Sequence, residues 1–181
     1  MQTKPLLFMK TPLSIAAAII AAAIAAAATS VAADVNSTDK SFIKGAYQDG
    51  LAEIKMAELA QGKTASADVK AFAAHMATDH SAANIELKGI ADAKSVEVPT
   101  SPSLIAQGKM KLDEAKSGTD FDKAYAAAMV SDHKKAVKAF EEAASNATDA
   151  EIKAFAAKTL PTLQSHLSMA EDLQNKLSAN P

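Results

Sequence analysis

Histidine is the scarcest reactive side chain in this sequence, with four copies at His75, His80, His133 and His166, and no cysteine accompanies them. Two of the four directly follow an aspartate, as Asp79-His80 and Asp132-His133, and each of those two has a methionine four residues earlier, Met76 and Met129. Imidazole and carboxylate together suit Zn, Fe or Cu(II), and an added thioether suits Cu(I). Positions four apart on a helix share a face, so each Met and its His could reach one ion if the segments are helical. Adjacent positions differ by about 100° on a helix, so an Asp-His pair alone cannot chelate.

The elements that must position these residues are helices. Alanine abounds, and glycine and proline fall mainly between apolar-periodic segments. Four long helices are predicted over 38–62, 66–93, 119–145 and 148–178, with Asn36 or Ser37 as the first cap. Thr119-x-x-Asp122 and Thr148-x-x-Glu151 read as capping boxes opening the last two. Pro161 lies inside the fourth and predicts a kink or a break there. The stretch Val69-Lys70-Ala71-Phe72-Ala73-Ala74 returns as Ile152-Lys153-Ala154-Phe155-Ala156-Ala157, so the chain reads as two helical hairpins in series. Between them runs a connection of about 25 residues, with Pro99, Pro102 and a short helix predicted over 103–115. It is long enough to travel the length of a bundle, and such a crossover marks an all-α, ferritin-like four-helix bundle.

Helical wheels then decide which side chains face inward. On the second helix Val69, Phe72, Met76, Ala83, Leu87 and Ile90 form the apolar stripe, with His80 near its centre, Asp79 at its border and His75 turned to solvent. On the third, Phe121, Tyr125, Met129, Ala136, Val137 and Phe140 form the stripe, with His133 near the centre and Asp132 at the edge. On the fourth, His166 lies on the inner flank of Ile152, Phe155, Leu163, Leu167 and Ala170. The first helix has no histidine, but Glu53 lies beside Ala46, Gly50 and Ala57, small residues that leave room for a carboxylate. Glu53, Asp79, His80, Asp132, His133 and His166 are therefore the candidate metal ligands, for Cu, Zn or Fe. The competing reading is that these histidines are core polar contacts that fix helix register and the methionines are packing.

Catalysis finds little support. There is no nucleophile motif, phosphate-binding glycine loop or HExxH helix. The Glu-x-x-His pair of di-iron carboxylate bundles is also missing: Ala77, Val130 and Leu163 stand three residues before His80, His133 and His166. A non-enzymatic domain is expected.

Address and charge narrow the partners. Lys4 and Lys10 precede an Ala/Ile-rich run ending in small residues, so 1–33 reads as a cleaved secretory signal, cut after Ala32 or Ala33, with the bundle domain over 34–181. The expected location is the periplasm or the exterior, an uncleaved inner-membrane anchor being the alternative. Beyond the signal the chain carries 17 lysines, 21 acids and no arginine, interspersed along the helices. That balance argues against nucleic acid as a partner. No run of alternating strands suggests a transmembrane β-barrel. A metal ion, a protein partner or a second copy of the chain stay open as partners.

With these residues in place, the chain resembles a family of exported bacterial helical domains, the domain-of-unknown-function family 4142, which carries the label predicted outer membrane protein. The resemblance rests on Gly50-Leu51-Ala52-Glu53-Ile54, Val69-Lys70-Ala71-Phe72-Ala73, Met76-Ala77-Thr78-Asp79-His80, Phe121-Asp122-Lys123-Ala124-Tyr125, His133, and the run from Lys158 through Pro161 to His166-Leu167. It implies a ferritin-like fold and export. It also implies that Glu53, Asp79, His80, His133 and His166 match positions of the family pattern, and it supplies no reaction.

Overall fold

The computed structural model describes residues 35–179; the signal-peptide assignment over 1–33 lies outside them. The described chain is five helices, α1 (Ser37–Lys63), α2 (Ala67–Ala93), α3 (Leu104–Glu114), α4 (Gly118–Asn146) and α5 (Ala150–Ala179), with no strand among the described residues. None of these helices is long and apolar enough to cross a membrane.

Short turns make α1–α2 and α4–α5 antiparallel hairpins, and side-chain contacts fix how the hairpins meet. Lys63 at the end of α1 lies over the Phe121 ring at the start of α4, whereas Phe42 near the start of α1 meets Phe140 near the end of α4. These two helices are antiparallel. Lys94, just after α2, bonds Asp149, just before α5, and Lys176 near the end of α5 pairs with Asp68 at the start of α2, so this pair is antiparallel too. The crossover travels from one end to the other: Gln48 donates to the Ser101 carbonyl, and about four turns of α1 later Lys63 donates to that of Glu114. Helix α3 lies against α1 and α4, as a strap over the groove between them. The topology, two hairpins and one long crossover, is consistent with a ferritin-like bundle.

The core is divided along the bundle axis. One apolar cluster, around Met56, Val69, Phe72, Met76, Phe121, Tyr125 and Met129, fills the end where α2 starts. A second, around Ile43, Leu87, Ile90, Phe140, Ile152 and Phe155, fills the end where α5 starts. Between them every long helix contributes buried polar groups, Glu53, His80, Asn84, His133 and His166. We call the ends upper and lower, in that order.

Three local expectations are corrected. Helix α4 starts at Gly118, one residue early, and the preceding Ser117 makes no side-chain cap bond. Gly118 takes φ 54°, a left-handed conformation that glycine adopts without a Cβ clash. The Thr119 box does not close, because Asp122 is buried and its Oδ1 has no partner. At the start of α5 the cap is Asp149 in place of Thr148: Asp149 Oδ1 accepts from the backbone N–H groups of Glu151 and Ile152 at 3.0 and 3.1 Å. Thr148 is engaged elsewhere. Its N–H and hydroxyl, with the Asp149 N–H, all donate to the buried Asp39 carboxylate at 2.9–3.1 Å. This latch ties the first turn of α1, itself capped by Asn36, to the entry of α5. Finally, Pro161 does not break α5 into two pieces, which runs as one helix to Ala179. Pro161 and Ala157, whose carbonyl loses its partner, are both exposed, so water can satisfy the freed acceptor.

Candidate metal centre

The wheel expectations for histidine orientation hold. His80 on α2, His133 on α4 and His166 on α5 are buried, and His75 is exposed. The three buried rings form a nearly equilateral triangle, with centroids 5.5, 5.4 and 5.4 Å apart. One ring nitrogen from each lies within 4.8 Å of the other two, and among the described residues this is the group of His, Asp and Glu side chains that converges in this way.

Each ring is held by a different device. His133 Nδ1 lies 2.9 Å from the Met129 carbonyl. A carbonyl only accepts, so Nδ1 carries the proton and Nε2 presents its lone pair. His166 Nε2 lies 2.9 Å from Asp79 Oδ2; there too the ring N–H donates, and the lone pair falls to Nδ1. That Nδ1 is buried with no hydrogen-bond partner. His80 Nε2 stands 3.4 Å from His133 Nε2. This is at the long end of hydrogen-bond distances. Two imidazole nitrogens each about 2.0–2.1 Å from one tetrahedral ion stand roughly 3.3–3.4 Å apart.

Electrostatics keep two of the rings neutral. Burial first, then the neighbouring His133 and His166, pushes His80 down to about 3. Burial also takes His133 down to about 4, although the Met129 carbonyl bond works the other way. Both rings are therefore neutral, with a single ring proton, near pH 7, the form that binds metal.

The carboxylates separate into distinct positions. Asp79, half-exposed, orients His166. Asp132 reaches outward to Lys109 at 2.9 Å and Lys135 at 3.1 Å. Glu53 is buried in the same polar layer, its Oε2 without a partner, and burial foremost, then Asp132, pushes its carboxyl up to about 8. None of the three belongs to the converging group. Met76 and Met129 are packed in the upper apolar cluster.

One participant, Asn84, had not been singled out from sequence, and Gly50 had been only as a small residue beside Glu53. Asn84, one turn after His80, donates to the Tyr47 carbonyl at 3.2 Å. A Cβ at Gly50 would collide with the Asn84 amide, so Gly50 is what lets α1 pass close to α2 beside the histidine layer. A stripe position occupied by Asn opposite a helical Gly was the available signal. Below the layer, a cavity of about 470 Å³ opens between the helices, with His80, His133 and Glu53 in its lining and α3 along its side.

Comparison with known proteins yields fold and family. No curated protein matches the chain. The crystal structure of a DUF305 fragment from Deinococcus radiodurans aligns with a TM-score of 0.71 over 80% of this chain and 99% of that one, at 10% sequence identity, a likeness of fold alone. Residues 24–173 match the family described as a domain of unknown function, DUF4142. This helical bundle with its buried histidine triangle belongs to the DUF4142 family.

Proposed function

We propose that this domain is an exported, non-enzymatic binding protein for a transition-metal ion, held by His80, His133 and His166. The observation that carries the reading is the His166 ring: Asp79 fixes Nε2, and Nδ1 is left buried with its lone pair unpartnered in a three-imidazole cluster. A polar layer whose role is only to set helix register satisfies its members, since a buried unpaired polar atom costs about 1–3 kcal/mol. An ion removes that cost.

Three neutral imidazoles suit Zn(II), Cu(II) or Fe(II). Asp79 and the Met129 carbonyl serve as the outer contacts that fix ring orientation and tautomer, as such partners do in metal sites generally. The widest donor spacing exceeds that around a tetrahedral ion, so uptake draws the rings inward. A fourth position, open toward the cavity, is taken by water or by Glu53, which lines the same space. The sequence over 1–33 supports export, and an exported domain without cysteine depends on such side chains for metal binding.

Calorimetric titration of the metal-free protein with Zn, Cu(II) and Fe(II) tests this. Each of His80→Ala, His133→Ala and His166→Ala is expected to weaken the preferred ion by at least roughly 100-fold, and Asp79→Asn by about 10–100-fold. Weak binding indifferent to all four substitutions would reject the reading.

A further inference from the structure

The metal reading uses three imidazoles and leaves the space beside them unexplained. The cavity of about 470 Å³ is far larger than an ion and its water need, a water occupying about 30 Å³ in the liquid. Its two ends differ chemically. Deep in the lower half the wall is aromatic, formed by Phe42, Phe140 and Phe155. Phe140 meets Phe42 edge-on at 5.0 Å between centroids and Phe155 at 6.0 Å. At the other end stand His80, His133 and Glu53, whose Oε2 is buried without a partner.

We propose that this cavity is the binding site for a small phenol, its ring against Phe42, Phe140 and Phe155 and its hydroxyl turned to the histidine-bound ion and Glu53. The assignment rests on the metal reading above. Aromatic walls favour a ring, which packs edge-on or offset against other rings. The head group follows from charge. A carboxylate would be drawn to the ion but would face Asp49 and Asp132, which stand in the same lining. An ammonium would suit those acids but would face the ion, and Lys109 and Lys135 line the space too, both paired with Asp132. A neutral hydroxyl answers both neighbours: its oxygen lone pair faces the ion while its O–H donates to the Glu53 carboxyl oxygen. A head group without polar atoms would leave Glu53 Oε2 unsatisfied, as it is without a ligand.

The test titrates the zinc-loaded full chain with four one-ring probes, phenol, benzoate, benzylamine and toluene, by calorimetry. Phenol is expected to bind at least tenfold tighter than the other three. Ala46→Phe and Ala136→Phe, which fill the cavity from α1 and from α4, are each expected to weaken phenol at least tenfold. Zinc affinity should stay within about threefold, and circular dichroism verifies that each variant is folded. If zinc binds but phenol does not, if the four probes bind alike, or if benzoate or benzylamine is preferred, the inference is overturned while the metal reading stands. The same holds if folded filling variants bind phenol as before. If zinc does not bind, the same titrations use whichever of Cu(II) and Fe(II) does, and if none of the three binds, the metal reading fails first and this one falls with it.

Discussion

The two ends of the bundle are built from nearly the same stretch of sequence and do different things with it. At the upper end Val69, Phe72 and Ala73 of α2 pack among Met56, Phe121 and Tyr125, several of them wholly buried. At the lower end Ile152, Phe155 and Ala156 of α5, the repeated residues, pack among Ile43, Leu87 and Phe140, but there the rings also border a cavity of about 470 Å³. Because α2 and α5 run antiparallel, the copies land at opposite ends. The repeat therefore supplies two apolar plugs, and the polar layer between them comes from positions where the copies diverge. His80 aligns with Leu163 and His166 with Ala83. Scaffold was duplicated; the metal-ligand candidates were not.

The contrast between a filled end and a hollow one is open to direct attack. The largest effect is expected from adding bulk: Ala73→Leu overpacks the upper cluster, where Ala73 has no exposed surface, and should cost about 3 kcal/mol. Ala46→Leu at the hollow end should cost less than about 1 kcal/mol, since cavity space accepts the added atoms. Urea unfolding of both variants measures the pair, and equal costs would remove the distinction between the ends. Next comes the latch that ties the lower end. Asp39→Ala leaves the Thr148 and Asp149 donors without their acceptor and should cost about 2–3 kcal/mol, as loss of charged hydrogen bonds does. A loss under about 0.5 kcal/mol would show that packing alone holds this end.

Smaller, and specific to the layer between the ends, is the pH dependence of the metal-free protein. His80 and His133 are held near 3 and 4, so between about pH 4.5 and 6.5 the unfolded chain binds their protons and the native one does not. Glu53, held near 8, keeps a proton in the native state that the unfolded chain has lost, and offsets one of the two. The net is about one proton: stability rises toward pH 6.5, and lowering the pH from there to 4.5 costs about 2 kcal/mol. Above pH 6.5 the Glu53 contribution is the larger one and stability falls, by about 1 kcal/mol at pH 8.5. Glu53→Gln should abolish that alkaline decline. An unchanged decline in the variant would place its origin outside the layer.

Most of the fold was legible because the 3.6-residue period is strong. The helix limits agree with expectation to within two residues, and the crossover does run end to end. The inward turn of His80, His133 and His166 was legible for the same reason, each standing on an apolar stripe. The caps were not, because they are decided by tertiary partners: Thr148 serves Asp39, distant in sequence, and Asp122 is buried under helices that local pattern does not see. The carboxylates show a different limit. A wheel placed both Asp79 and Asp132 at a stripe's border, and border positions do not reveal partners. One of them turned to His166 and the other to Lys109 and Lys135. The hollow of the lower end left no trace in the sequence, since a void depends on how side chains from several helices pack around it.

The central claim is that three imidazoles from three helices share one ion. X-ray absorption at the zinc edge of the loaded protein, beside the triple variant His80→Ala, His133→Ala, His166→Ala, tests it most directly. The account predicts a first shell of nitrogen and oxygen at about 2.0–2.1 Å with outer scattering from three imidazole rings, and no bound zinc in the triple variant. A shell without imidazole scattering, or zinc retained by the variant, would contradict it.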